Sequence, residues 1–84
     1  LVLNNTKLTD AGVKHLTKLP KLTTLRLANT PLTDDCVNDL ALLSKLHSLD
    51  LKGTKVTEEG AKKLAAALPR TWIRYGDGTV LKPT

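Results

Sequence analysis

Apolar residues recur along this chain at a spacing of 24 positions. The stretch LTTLRLANTPLTDD begins at Leu22, and LHSLDLKGTKVTEE begins at Leu46 with leucines, threonines and acids at matching places. At the centre of each unit, two apolar positions alternate with polar ones, and this period of two is typical of a half-buried β-strand. The pattern predicts four short strands, centred near residues 1–3, 24–28, 48–52 and 72–75.

A helix is predicted after each of the first three strands. Each helix start carries a threonine that can cap the first turn and an acid that suits the positive end of the helix dipole. These pairs are Thr9 with Asp10, Thr33 with Asp34, and Thr57 with Glu58. The apolar residues that follow at helical spacing are Val13, Leu16 and Leu19, then Val37, Leu40 and Leu43, then Ala61, Leu64 and Leu68. Because proline cannot continue a helix, Pro20 and Pro69 are expected to end the first and third helices.

Strand, turn and helix at a fixed period of about 20 to 30 residues resemble leucine-rich repeats. The family pattern L-x-x-L-x-L-x-x-N/C-x-L is matched by Leu22, Leu25, Leu27, Thr30 and Leu32, and again by Leu46, Leu49, Leu51, Thr54 and Val56. Threonine stands where the family usually has Asn or Cys, so hydroxyl groups are expected to bond the backbone there. The tail LTDAGVKHLTKLP is similar to repeats of bacterial proteins of planctomycete type, and also to the cysteine-containing repeats of F-box adaptors.

The resemblance implies an α/β fold, a solenoid arc with parallel strands on its concave face and helices on its convex face. We expect one domain over residues 1–84, with repeats at about 1–21, 22–45 and 46–70 and a terminal strand with a C-terminal cap at 71–84. Asp77 and Gly78 are expected to form a two-residue hairpin turn that folds the end of the chain back as this cap. The core is predicted to contain Leu16, Leu25, Leu27, Leu40, Leu49, Leu51 and Leu64.

The N-terminal end has no comparable cap in the sequence. Since the ends of a solenoid need polar covering, two interpretations stay open for this end. The chain is either the last part of a longer repeat array or a module whose open end is covered by a partner or a second copy.

Composition and charge narrow the function classes. The chain has 84 residues, 40% of them apolar, with neither Phe nor Met, so leucine must supply most of the core. Its single cysteine, Cys36, excludes an internal disulfide. No apolar run is long enough to span a bilayer, and no signal-peptide pattern is present. The net charge is +5, but the lysines are scattered through every repeat, which favours solvated faces over nucleic-acid or anionic-surface binding.

The polar residues between the fixed leucines vary from repeat to repeat, and the strand period places them on the concave face. The resemblance implies that such a face binds a protein or peptide without catalysis; a structural or oligomerising end segment is the alternative. Arg26, Asp50 and Arg74 share one strand position and are expected to stand side by side. Trp72 is expected either to anchor a partner or to cover the end of the sheet. The candidate binding residues are Asn4, Thr24, Arg26, Ser48, Asp50, Lys52, Trp72 and Arg74.

No catalytic, cofactor-binding or metal-binding residues are predicted. His15 and His47 belong to different repeats and have no cysteine nearby. Cys36 takes the position held by Gly12 and Gly60 in the other repeats, which favours a small packed residue over a nucleophile. The segment GDGT at residues 76–79 lacks the further acids of an EF-hand and the lysine of a P-loop, so it is interpreted as a turn.

Overall fold

Three strand and helix units followed by a hairpin form the fold in the computed structural model, which describes residues 1–19 and 21–83. The helices are α1 (Asp10–Leu16), α2 (Val37–Leu40), which follows a 3₁₀ turn at Asp34–Cys36, and α3 (Glu58–Ala67). The strands are β1 (Thr24–Arg26), β2 (Ser48–Lys52), β3 (Trp72–Gly76) and β4 (Thr79–Leu81). A mixed α/β fold with a four-stranded sheet and three helices is therefore confirmed. No helix within the described residues is long and apolar enough to cross a membrane.

The sheet has the order β1-β2-β3-β4, and its first three strands are parallel. The 24-residue period sets their register: Leu25 pairs with Leu49, which in turn pairs with Ile73. The prediction of four parallel strands is wrong at the N-terminus, where Val2 forms only an isolated bridge with Arg26.

The N-terminal segment still bonds the edge of β1. The N–H groups of Leu3 and Asn5 donate to the carbonyls of Arg26 and Ala28, each at 2.8 Å. The N–H of Ala28 donates to the side-chain Oδ1 of Asn4 at 2.8 Å, and the carbonyl of Leu3 accepts from the hydroxyl of Thr6 at 2.9 Å.

The C-terminal hairpin forms as expected, and Asp77 and Gly78 are the two residues between β3 and β4. Tyr75 of β3 pairs with Thr79 of β4, and the N–H of Gly78 donates to the carbonyl of Tyr75 at 3.0 Å. Gly76 and Gly78 both have positive φ, at 59° and 115°, a conformation that favours glycine. Gly76 also pairs with Lys52 of β2, which keeps it in the sheet.

The core lies between the sheet and the helices, and the seven leucines predicted for it are all buried. Of the nine apolar positions predicted for the helix units, only Leu19 is exposed, at 46%. Its equivalents Leu43 and Leu68 are buried, and each of them has a repeat before it in the described structure. Pro69 follows the end of α3 as predicted, whereas Pro20 lies outside the described residues.

Threonine hydroxyls bond the backbone in the turn after each strand, as the sequence predicted. The hydroxyl of Thr30 donates to the carbonyl of Leu27 at 2.7 Å, and that of Thr54 donates to the carbonyl of Leu51 at 2.7 Å. In the first repeat Thr6 makes the same bond.

The predicted threonine caps form in two repeats of three. Thr33 accepts from the N–H of Asp35, and Thr57 accepts from the N–H of Gly60. Thr9 makes no side-chain capping bond, so that prediction is wrong. The capping hydroxyls of Thr33 and Thr57 also donate at 2.6 Å to a carboxylate of the preceding repeat, which fixes their orientation. No described carboxylate bonds Thr9 in this way.

Candidate functional site

A groove of about 380 Å³ crosses the side of the sheet that faces away from the helices, called here the open sheet face. Alternation along the strands sends the leucines to the core and the residues between them to this face. Parallel register then aligns those residues across three repeats: Ser48 pairs with Trp72, and Asp50 pairs with Arg26 and Arg74. The groove is lined by Arg26, Ser48, Leu49, Asp50, Trp72, Ile73, Arg74 and Val80.

An ion pair between Asp50 and Arg74 lies at the centre of the groove. Nε of Arg74 donates to one carboxylate oxygen of Asp50 at 3.0 Å, and Nη2 donates to the other at 2.5 Å. The backbone N–H of Lys52 also donates to the carboxylate, at 3.0 Å. Two parallel bonds from a guanidinium fix both position and orientation.

The pKa of Asp50 is held below its ordinary value, first by the hydrogen bond from Arg74. The N–H of Lys52 and the charges of Arg74 and Arg26 act in the same direction, while burial opposes them. Asp50 is only 8% exposed, and both of its carboxylate oxygens are already bonded inside the protein. The carboxylate therefore forms a fixed part of the groove floor.

Arg26 supplies a cation that is not neutralised in this way. It lies next to Asp50 in the sheet register, and its side chain is exposed. It forms no ion pair with any residue in the described ranges 1–19 and 21–83. The row across the sheet thus has two guanidinium groups and one carboxylate, which leaves an uncompensated positive charge at the edge of the groove.

Trp72 and Val80 form an exposed apolar surface at the other side of the groove. Trp72 is 49% exposed and Val80 is 46% exposed. Val80 pairs with Arg74 across the antiparallel hairpin, so the two side chains share the open sheet face. Val80 was not among the residues selected from the sequence. The predicted hairpin could have identified Val80, because a strand folded back over residues 79–81 turns its middle residue to the same face as Arg74.

The groove does not bring together all eight candidate residues. Asn4 bonds the backbone of Ala28, which gives it a structural role in joining two repeats. Thr24 pairs with Ser48 but does not line the groove, and Lys52 lies further along β2, opposite Gly76. The other five line it: Arg26, Ser48, Asp50, Trp72 and Arg74.

Cys36 is fully buried, as predicted, and carries a free thiol. Burial is the main cause that raises its pKa to about 12, and the nearby carboxylates of Asp10 and Asp34 raise it further. The thiol is therefore protonated at neutral pH, while the nucleophilic form of cysteine is the thiolate. The described residues contain no group of His, Cys, Asp and Glu side chains that could hold a metal ion.

Residues 43–65 match a family model described as Leucine Rich repeat. The matched segment includes all of β2 and most of α3, and with them the pattern residues Leu46, Leu49, Leu51, Thr54 and Val56. No curated protein matches the chain. The matched segment, the 24-residue period and the parallel register agree, and together they support a leucine-rich-repeat protein.

Proposed function

We propose that this protein is a non-catalytic interaction module that binds a protein or peptide in the groove on the open sheet face. Leucine-rich repeats are protein-interaction modules in general, and the groove on the open sheet face supports the proposal that this chain binds its partner there. The observation that carries the proposal is that Trp72 is 49% exposed. It lines the same groove as the ion pair between Asp50 and Arg74. We further propose that the open sheet face is the concave side of a solenoid arc.

The composition of the groove suits an interface centre. Interface hot spots are enriched in Trp, Tyr and Arg, which combine large contact area with directed bonding. Here Trp72 and Val80 offer apolar area, and Arg74 is held in one orientation by Asp50. A held side chain loses less conformational entropy when a partner binds, so more of the contact energy contributes to affinity.

Trp72 is the proposed anchor. The competing interpretation is that its indole covers the end of the sheet. In the structure β4 pairs with β3 along that edge, and Trp72 keeps about half of its surface in solvent. Both facts favour an indole that is available to a partner.

Selection from a displayed library of random 12-residue peptides tests the proposal. We expect the immobilised protein to enrich peptides whose binding is lost in Trp72→Ala. Leu42→Ala is the matched control, because Leu42 is 69% exposed and does not line the groove. The proposal fails if Trp72→Ala retains every enriched peptide, provided that both variants unfold at the same urea concentration as the wild type.

A second candidate function, the end segment of a repeat array, is favoured by a different surface. We define the N-terminal face by the apolar positions of the first repeat that are exposed or only partly buried: Leu1, Leu3, Leu8, Leu19 and Leu22. The residues 24 positions after each of them are Leu25, Leu27, Leu32, Leu43 and Leu46, which are all buried. The N-terminal face thus resembles the surfaces that each repeat presents to its neighbour.

The polar contacts between repeats support the same idea. The carboxylate of Asp10 accepts from the N–H and hydroxyl of Thr33 at 2.9 and 2.6 Å. Asp34 accepts from Thr57 in the same way at 2.8 and 2.6 Å. Thr9 has the equivalent N–H and hydroxyl, and a carboxylate from an adjoining repeat would bond them. We propose that the N-terminal face packs against another leucine-rich repeat.

A fusion protein tests this packing. A copy of residues 25–48 placed directly before Leu1 would continue the 24-residue period and put its Asp34 opposite Thr9. We expect the thermal midpoint to rise by about 5 °C or more, because the added repeat would bury exposed leucines. Asp34→Ala within the added copy should remove part of the gain. An unchanged midpoint would contradict the proposed packing.

A further inference from the structure

We propose that the partner segment bound in the groove is acidic and carries an apolar side chain three or four residues from an acid. This inference rests on the proposed function and adds the chemistry of the ligand. It follows from the distribution of charge on the open sheet face, from the absence of an ion pair between Arg26 and the described residues, and from the position of Trp72.

Charge on the open sheet face is strongly unequal. Among the described residues, the cations on this face are Arg26, Lys52 and Arg74, together with Lys82, which the hairpin register places beside Trp72 when it is continued by one step. Asp50 is the one acidic side chain among the described residues of this face. Six of the other seven acids lie in the helices and the 3₁₀ turn, and the seventh, Asp77, lies in the hairpin loop. A chain segment laid along this face therefore meets a surplus of positive charge.

The bonding within the groove directs a ligand carboxylate to Arg26. Asp50 bonds Arg74 and the N–H of Lys52 rather than Arg26. Arg26 is exposed and forms no ion pair with the residues that the structure describes. Guanidinium groups bind carboxylates through two parallel bonds, so Arg26 is suited to an incoming Asp, Glu or terminal carboxylate.

Trp72 and Val80 set the second requirement. Arg26 and Trp72 are two strands apart and offset by two residues along the strand direction. Strand spacings of about 4.8 Å and rises of about 3.3 Å per residue separate their Cα atoms by about 12 Å. An extended segment covers that distance in three or four residues. A ligand that places a carboxylate at Arg26 therefore places a residue three or four positions away over the indole.

The random 12-residue peptide library supplies the probe. We expect the peptides that depend on Trp72 to carry net negative charge and to have an aromatic or aliphatic residue three or four positions from an acid. A synthetic peptide of the enriched sequence is then titrated by fluorescence polarisation. We expect Arg26→Gln to weaken its binding about tenfold, and Arg26→Glu to weaken it further through repulsion.

The control is Lys14→Glu, which changes the net charge as much as Arg26→Glu does but lies on α1, away from the groove. We expect it to change the affinity by less than about twofold. Circular dichroism and the urea midpoint identify any variant that fails to fold, and Arg26→Gln avoids placing a new carboxylate beside Asp50.

The outcomes separate this inference from the proposed function. Peptides that need Trp72 but carry no excess of acid, or that bind Arg26→Gln as tightly as the wild type, overturn the inference and leave the interaction module standing. The absence of any Trp72-dependent peptide overturns the module itself. If a single-stranded 20-nucleotide DNA binds wild type and Trp72→Ala with equal affinity, and that affinity falls steeply with salt, the face is a polyanion surface and the inference is wrong.

Discussion

Truncation of Leu49 to alanine is the strongest test of the repeat register. Leu49 is 1% exposed and lies in the middle strand, between Leu25 and Ile73. The substitution removes three carbon atoms from the core, which at about 0.8 kcal/mol each costs about 2.4 kcal/mol of transfer free energy. Because parallel strands on both sides limit collapse, a residual cavity adds to this value, and the expected total is about 2–5 kcal/mol.

Urea unfolding measures the effect, with far-UV circular dichroism and Trp72 fluorescence as two independent probes. Small proteins have m-values of about 1 kcal/mol per molar urea, so we expect the midpoint to fall by at least about 2 M or the fold to be lost. Total stability of a small domain is about 5–15 kcal/mol or less, which makes this a large fraction.

Leu42→Ala is the matched control because it is the same substitution at a leucine that is 69% exposed. Surface changes of this kind alter stability by less than about 0.5 kcal/mol. If the two variants lost stability equally, or if Leu49→Ala had the smaller effect, the assignment of Leu49 to the core side of the sheet would be refuted.

Four further predictions concern Asp50, Cys36 and Trp72. Asp50→Arg should destabilise the protein modestly and added salt should restore part of the loss, because three guanidinium groups would then stand in one row; equal stability at low and high salt would contradict this. The pKa of Asp50 is lowered in the folded protein, so its ionised carboxylate stabilises the fold above the unfolded pKa of about 3.9. This stabilisation is lost as the pH falls through the folded pKa. The wild type should therefore lose stability below about pH 4 more steeply than Asp50→Asn. Native Cys36, with a pKa of about 12, should react with a thiol reagent at pH 8 only as fast as the protein opens, and reaction at the rate of the urea-unfolded chain would refute its burial. Trp72, 49% exposed, should show red-shifted emission that acrylamide quenches in the folded state; a protected, blue-shifted indole would make it a cover for the sheet.

Much of the framework follows from the sequence because it depends on periodicity. Backbone geometry sends alternate strand residues to opposite faces, so the 24-residue repeat was sufficient to predict the buried Leu25 and Leu49 and the row of Arg26, Asp50 and Arg74. The turn threonines were predictable for a similar reason, since their bonds join groups only three residues apart.

The tertiary structure decided which polar groups pair across repeats. Asp50 stands between two arginines in the sequence pattern, but its oxygens bond Arg74 and the N–H of Lys52, and Arg26 forms no ion pair with the described residues. Asn4, expected on the concave surface, instead accepts from the backbone N–H of Ala28. The 24-residue period predicts the sheet face on which each strand residue lies and the residues that stand beside it on the neighbouring strands. It does not determine which of several donors within reach an acceptor takes, because that depends on bonds that neighbouring groups have already made in three dimensions.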